Sequence, residues 1–491
     1  MSAYKTDKLW RRLIATTVIF VLSLTLIVFL SSYFEELTVE QRIQYRNQVL
    51  TTSGMVFLGL AVLINAYYAA KRTDAMDRNA MAAEKSNEIS IRNSQISQDK
   101  LIVERFMGAI NQLGHEKIET RTAAIYVLER VAQDFPQEHW TIMEILTAFV
   151  RENAPIQTNE EEEKSLERLQ PIHLGRYKSG ARRTQKEELN SREVLPKIRR
   201  DIQAALTVIG RRNYLLENQN QKLNLRNIDM RGADLLEGNL EKADLRGSNL
   251  CGADLRGSHL CEANLDGAQL TGSILYGTNL NKANLNRANI CWANLNQANL
   301  SGANLRGANL VGASLRSANL SGANLYKANL QQATLRVADL SGAKLFLANF
   351  QWAKLGRANL QRAGLIGANL SGANLNGANL SGANLNAAKL QQTEMFFADL
   401  SEASFAEADL ERANLMGSDL NHASFFQANL SGTNLMGANL WDANLSDVKL
   451  EGAILTGAKN VELQQIRMAV GDGTTRLPDY LEAPLHWQQS G

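Results

Sequence analysis

The sequence predicts a chain of mixed class: two membrane-spanning helices, a small α-helical region and a long β-solenoid. Three observations carry this. Two uncharged apolar runs, Leu13–Leu30 and Val49–Ala70, lie near the N-terminus. From Leu225 to Leu455 every fifth residue is Leu, Met, Ile or Phe, without an insertion or a polar replacement. Between residues 253 and 443 the position two places before each of these holds only Ala, Ser or Thr. A period of five fits neither the 3.6 of a helix nor the 2.0 of a strand. Such units bury their apolar residue only by stacking on one another.

The apolar runs come first. Each approaches the ~20 residues that cross a bilayer, and the expected embedded segments are 13–34 and 49–70. Trp10, Tyr33, Tyr67 and Tyr68 lie where interfacial aromatics belong. Leu30-Ser31-Ser32-Tyr33 offers no small-residue cleavage pattern, so the first run is expected to be retained rather than removed as a signal peptide. Lys5, Lys8, Arg11 and Arg12 precede the first run and Lys71, Arg72 and Arg78 follow the second. The intervening loop sets Arg42 and Arg46 against Glu35, Glu36 and Glu40. The positive-inside rule then places both termini in the cytoplasm. Residues 1–72 are read as this pair of helices with a short extracytoplasmic loop.

Residues 73–153 read as a helical stalk and a small helical region. The stretch to residue 100 is polar, with apolar residues too sparse for a heptad seam. Phe106, Ile110 and Leu113 make one stripe ended by Gly114; Ile118, Ile125, Leu128, Val131 and Ala132 make a second, stopped near Pro136. Trp140, Met143, Leu146, Phe149 and Val150 make a third, ended before Pro155. These three are expected to pack together. His115, His139, Glu138 and Glu144 lack ligand-pair spacing and read as exposed helix-end residues rather than a metal site. Residues 154–195 form a charged linker, with acidic Glu160–Glu163 followed by basic Arg182, Arg183 and Lys186. Residues 196–222 hold an amphipathic helix, Ile202, Ala205, Leu206 and Ile209, placed to cap the first coil.

The solenoid occupies residues 223–459. Its typical unit is Ala-(Asn/Asp)-Leu-X-X, as in Ala303-Asn304-Leu305-Arg306-Gly307. These units resemble the pentapeptide-repeat family. That resemblance implies a right-handed, four-sided parallel β-helix of twenty residues per coil; the five-residue period alone does not fix the number of sides. Trp140-Thr141-Ile142-Met143-Glu144, Asp201-Ile202-Gln203-Ala204-Ala205-Leu206, and the Gly471-Asp472-Gly473 to Leu477-Pro478 stretch resemble a membrane-anchored bacterial subgroup. The central Leu is expected inward and the small residue beside it in a narrow bore. Asn and Asp suit tight turns and local hydrogen bonds, and Gly after the centre relaxes the corners. Val448 breaks the small-residue rule and Asn460 ends the apolar series, so the final coils should be irregular. Residues 460–491 read as a capping helix, Val461–Val470, and a tail.

Charge bounds the partners. The chain carries a formal net charge of +2, which argues for neither nucleic acid nor an anionic surface overall. Its distribution is uneven: residues 267–393 hold 11 Lys and Arg against 1 Asp or Glu, and residues 394–451 hold 2 against 10. Some members of the family mimic DNA and bind type II topoisomerases; that requires an extended anionic surface, and a basic middle has the wrong sign. In a twenty-residue coil Arg287, Arg306 and Lys327 share a phase, and Arg316, Arg336 and Arg357 share the opposite one; these six form a candidate basic belt. Tyr326, Phe346 and Ile366, with Leu347 beside them, and Phe396, Met416 and Met436, with Phe397, form apolar stripes that are candidate contact surfaces.

Chemistry is not expected. Cys251, Cys261 and Cys291 form no C-x-x-C pair and fit free thiols in a reducing compartment. None of the six histidines sits in a nucleophile or metal motif, and no phosphate-binding glycine loop or G-x-S-x-G occurs. No catalytic residue, metal or cofactor is assigned. The expected function is a non-enzymatic scaffold tethered in a bacterial inner (plasma) membrane, with a regulatory or assembly role. It would present the rod to an unidentified protein partner or to a second copy. The alternative is an anionic-ligand or nucleic-acid binder acting through the belt, although nucleic acid is not the expected partner.

Overall fold

The computed structural model describes residues 2–31, 38–156, 198–218, 220–485 and 487. Six α-helices occur among them: α1 (Ser2–Ser31), α2 (Val39–Leu113), α3 (Ile118–Asp134), α4 (His139–Asn153), α5 (Arg200–Gly210) and α6 (Leu463–Arg467). The chain divides into two compact units, Met1–Val103 and Glu104–Gly491. The charged linker lies outside the described residues.

In the first unit, α1 and α2 pair at one end through the Trp10 and Tyr67 rings, whose centroids are 5.5 Å apart. Lys71 Nζ lies 5.8 Å from the Tyr67 ring. Both helices contain a stretch long and apolar enough to cross a membrane, Lys8–Leu30 being the first. The boundary expected at residue 72 falls inside α2, because that helix is continuous over 75 residues. Residues 71–107 contain neither Pro nor Gly, and Ala, Lys, Arg, Glu and Met are good helix formers. The stripe at Phe106, Ile110 and Leu113 is therefore the last turns of α2, not a helix of its own.

In the second unit the bundle is α3, α4 and α5, so α5 takes the place expected for residues 101–113. Its cohesion has a charged centre. Asp201, fully buried, accepts from Arg121 Nε at 2.7 Å and Arg199 Nη2 at 2.7 Å. Burial alone would raise its pKa; the two guanidinium hydrogen bonds reverse this and hold it below the usual carboxylate range. His139 is also buried, correcting its reading as an exposed helix end: it starts α4 with Nε2 3.5 Å from Glu217 Oε1, and Glu217 is held by Arg212 at 2.9 Å.

The bundle closes the first coil. Gly210 O accepts from Asn239 N at 2.8 Å, Gln203 exchanges hydrogen bonds with the Asp234 backbone, and Arg212 Nη2 donates to Glu241 O at 2.7 Å. The segment after α4 pairs antiparallel at Pro155–Ile228, with Asp229 N donating to Ala154 O at 2.8 Å. The open hydrogen-bonding edge of the coil is thus partly covered.

The solenoid pairs residue i with i+20 through one parallel bridge per five-residue side, from Asn224–Asp244 to Asn439–Lys459. Four such sides complete a coil, and among the described residues no longer strand forms. One unit shows how every amide is satisfied. Asn304 N donates to Ala283 O (2.9 Å), Leu305 N to Asn324 O (2.7 Å) and Gly307 N to Tyr326 O (2.9 Å), while Ala308 N closes the corner onto Leu305 O (3.0 Å). The remaining amide, Arg306 N, reaches no carbonyl and donates to Asn304 Oδ1 (3.3 Å). That gap is why Asn or Asp precedes the central Leu. Where Ser314 or Ser404 replaces it, the previous coil supplies the acceptor: Asn296 Oδ1 takes Arg316 N and Asn386 Oδ1 takes Ala406 N. The amides also ladder between coils, Asn304 Nδ2 donating to Asn284 Oδ1 at 3.0 Å.

Inside, the central residues and their small neighbours are buried throughout, and Phe405 stacks on Phe425 with centroids 4.9 Å apart, close to the strand spacing. Small polar residues in the bore are satisfied; Ser248 Oγ donates to Leu245 O at 2.6 Å. Towards the end the register slips, Lys449 pairing with Val470 and Ile454 with Arg476. The closing helix spans only Leu463–Arg467, shorter than expected. Trp487, Tyr480 and Gln465 complete this end by hydrogen bonds to Ala469 O, Ala458 O and Leu440 O.

The corner glycines hold the left-handed conformation expected of them, Gly272 at φ 66° and Gly312 at φ 65°, and some meet a second constraint. Non-glycine residues such as Trp292, Arg287 and Trp352 hold the same left-handed conformation, φ 58°, 53° and 60°, so backbone freedom alone does not select Gly. At Gly312, Gly367, Gly372 and Gly417 a bulky corner side chain from twenty residues earlier lies over the glycine. A Cβ at Gly312 would fall within the Trp292 ring, and one at Gly372 within the Trp352 ring.

Two predictions follow from the packing. Gly272→Ala, where φ is +66° and nothing lies within 4 Å, should lower stability by ~1 kcal/mol, the cost of the left-handed corner. Gly312→Ala should cost clearly more, and Trp292→Ala should bring it back to the Gly272→Ala value; equal thermal shifts for both glycines would refute the overlay. Asp201→Asn should destabilise the bundle by about 3 kcal/mol. Because the Asp201 pKa is depressed, its contribution is present above the unfolded value near 4 and lost as pH falls through the lower folded value. Denaturation of wild type and variant should therefore converge in acid.

Candidate functional site

A shallow cavity beside the first coil is lined by Arg212, Tyr214, Glu217, Glu241 and Lys242; the features that vary along the rod are on its flat outer sides. Four sides recur at every coil, and the twenty-residue pairing assigns each decoration to one of them. Arg287, Arg306 and Lys327 lie on the side centred on Leu285, Leu305 and Leu325. Arg316, Arg336 and Arg357 lie on the opposite side, centred on Leu315, Leu335 and Leu355. All six are exposed, and none enters an ion pair with a described residue. This contrasts with the first coils, where Arg231, Arg246 and Arg256 pair with Asp229, Asp244 and Asp254 at 2.6–2.7 Å.

The apolar candidates divide by the same register. Tyr326, Phe346, Leu347 and Ile366 share the side of Arg306 and Lys327. Phe346 and Leu347 are exposed, while Tyr326 and Ile366 are half-buried. Tyr326 sits between cations, with Arg306 Cζ 5.1 Å and Lys327 Nζ 5.2 Å from its ring centroid. Phe346 lies over Gly364, where a Cβ would stand 3.1 Å from its ring, and Leu347 lies over Gly367 at 2.8 Å. Phe396, Phe397, Met416 and Met436 occupy the opposite side, beyond its cations. Phe397 is 71% exposed although its ring covers Gly417, and Met436 is exposed, whereas Phe396 and Met416 are half-buried.

Sequence reasoning missed the tryptophans. Trp292 is half-buried and Trp352 is 51% exposed. Both lie at corners of a third side, which carries no charged residue from position 288 to position 372. The signal was available as a bulky corner residue followed twenty positions later by Gly. On the fourth side His422 Nδ1 is 2.9 Å from Asp442 Oδ2 and its ring is 4.6 Å from the Trp441 ring.

The surroundings of the thiols disfavour the thiolate. Cys251, Cys261 and Cys291 are free. Burial raises all three pKa values, Cys291 to about 11. Among the described residues no group of His, Cys, Asp and Glu is arranged to hold a metal ion. Alkylation of the folded chain near neutral pH should therefore be slow at all three thiols, with Cys291 accelerating only as pH approaches about 11; rapid modification of Cys291 at neutral pH would contradict its burial.

A family described as pentapeptide repeats (8 copies) matches seven overlapping or adjoining segments that together run from residue 221 to residue 459. HetL, described as a pentapeptide-repeat protein involved in heterocyst differentiation regulation in the cyanobacterium Nostoc sp. strain PCC 7120, is 33% identical. The match covers 48% of this chain and 92% of HetL, with a TM-score of 0.22. A trypsin-treated form of QnrB1, described as a plasmid-mediated fluoroquinolone resistance protein, is 19% identical, covering 44% of this chain and 90% of its own, with a TM-score of 0.26. Rfr23 from the cyanobacterium Cyanothece 51142 is 33% identical over 20% of this chain and 63% of its own, with a TM-score of 0.13. No curated protein matches the sequence.

Proposed function

Because the chain belongs, through residues 221–459, to the pentapeptide-repeat family, we propose that it is a non-enzymatic, membrane-tethered scaffold whose rigid, right-handed β-helix is presented for protein–protein contact. The observation that carries this reading is the stripe of Phe396, Phe397, Met416 and Met436 on a side stiffened by bridges at every coil. Exposed aromatic and Met side chains on a pre-ordered surface bind without paying for backbone ordering. A filled bore leaves no cleft for catalysis. The tether is supported by the two apolar helices and by the cations at their paired ends. Both termini in the cytoplasm of a bacterium accord with that charge pattern. The partner is a protein or a second copy.

A second reading has its own support: the six unpaired cations, which would serve an anionic ligand or a nucleic acid. The two readings separate by salt, because phosphate contacts weaken steeply with ionic strength and an apolar stripe does not.

Alkaline washing of native membranes should leave the chain in the membrane fraction; release would remove the tether. Chemical crosslinking in the same membranes should trap a defined adduct that falls about tenfold, a loss of ~1.4 kcal/mol, in Phe397→Ser with Met436→Ser. Unchanged crosslinking and oligomeric state in that variant would reject the contact surface.

A further inference from the structure

The side that bears Tyr326 combines features that the opposite side does not bring together. Over five successive coils, centred on Leu285 to Leu365, it carries Arg287, Arg306, Lys327 and Lys344 and no Asp or Glu. These cations span roughly 14 Å at the ~4.8 Å strand spacing. Phe346 and Leu347, 36% and 50% exposed, lie within the same stretch and fold down over Gly364 and Gly367 instead of projecting. On the opposite side Val337 is the one exposed apolar residue among the cations, and the aromatic and Met residues begin two coils past them and share a coil with Glu394.

Two backbone donors add to the positive character. Where Lys344 and Gly364 replace the usual Asn or Asp, the Phe346 and Ile366 amides lose the side-chain acceptor that serves Arg306 N, and neither meets another acceptor among the described residues. Cations and free amides therefore share a flat surface with a shallow apolar strip.

We propose that this side docks on an anionic lipid surface, its cations and free amides taking headgroup phosphates and Phe346 and Leu347 entering the headgroup boundary. The inference rests on the tethered reading, which ties the rod to a membrane and so raises the effective concentration of that surface. Basic residues beside shallow apolar ones are the chemistry by which proteins lie on anionic membranes. A single-stranded nucleic acid is the poorer match. Such binding stacks bases on open aromatic faces, but Arg306 and Lys327 lie against the Tyr326 ring and Phe346 lies along the coil. Docking would leave the opposite side, with Phe397 and Met436, turned to the cytoplasm for the protein contact.

The test uses the full chain in lipid nanodiscs of phosphatidylcholine, with or without phosphatidylglycerol. An environment-sensitive dye is attached through Leu347→Cys or, on the opposite side, Val337→Cys; the unsubstituted chain, with its slow thiols, is the labelling blank. With phosphatidylglycerol the dye at 347 should shift to the blue and lose several-fold of its quenching by aqueous iodide. The dye at 337 should not change. High salt, or Arg306→Glu with Lys327→Glu, should abolish the shift. No shift at 347, equal shifts at both sites, or a shift that needs no anionic lipid overturns the proposal. So does a response confined to an added oligonucleotide or acidic protein. Alkaline washing of the discs reports the spans separately. A chain that stays embedded without a dye response fails only the docking; a chain that washes out fails the tether, and docking is then read with added vesicles.

Discussion

The structure depends on the matching of two repeats: a side chain that must be buried every fifth residue and a backbone that must be paired every twentieth. When Leu305 points into the bore, its amide is placed to meet Asn324 O on the next coil. Burial of each central residue contributes on the order of 1.5–3 kcal/mol, but only while the neighbouring coil is present. Stability is therefore a sum of nearest-neighbour terms. Each end presents a coil with half its partners missing. The bundle at one end and Trp487, Tyr480 and Gln465 at the other are consequences of the same constraint, because an uncovered coil would expose both apolar surface and unpaired amides.

That framework leaves few positions free to vary, and the free positions carry whatever specificity the rod has. The residue after the central Leu and the corner residue beyond it can be Arg, Tyr, Phe, Met or Trp without disturbing the bore. The corner accepts any of them because its left-handed conformation is imposed by the pairing on both sides. The cost is local strain at each non-glycine corner, offset by the hydrogen bonds that hold it. A large corner residue then claims the space over the next coil, as Trp292 and Leu347 do. Where the corner residue is Trp, Phe or Leu, as at Trp292, Leu347, Trp352 and Phe397, the corner twenty residues on is Gly.

Much of this was legible in the sequence because the signal was periodic. The inward positions, the coil length implied by the family and the opposition of the two cation groups all follow from counting. What counting could not supply was anything that depends on contacts between non-equivalent elements. The continuity of α2 through residues 71–113 depends on the absence of a breaker rather than on a pattern. The docking of α5 on α3 and α4 turns on Asp201, which as a lone Asp at a helix start looks like an exposed first-turn acid. His139 looked exposed for the same reason; Glu217, 78 residues away in sequence, buries it. On the rod, the phases of the stripes were visible. That Tyr326 is flanked by two cations, and that two amides beside it lack their Asn acceptor, required the coordinates.

The asparagine ladder has a consequence for the lifetime of the protein. An Asn side chain is lost spontaneously when the amide nitrogen of the following residue attacks its carbonyl carbon and closes a five-membered imide. In the regular repeats that nitrogen belongs to the inward residue and is already committed: Leu305 N to Asn324 O, and Leu325 N to Lys344 O. The side-chain oxygen is held as well, by the amide two residues on. Ring closure needs both groups to turn towards each other, and the coil holds them apart. The Leu that follows each of these asparagines already slows ring closure by its bulk; wound into this rod, the repeat asparagines should keep their amides longer still.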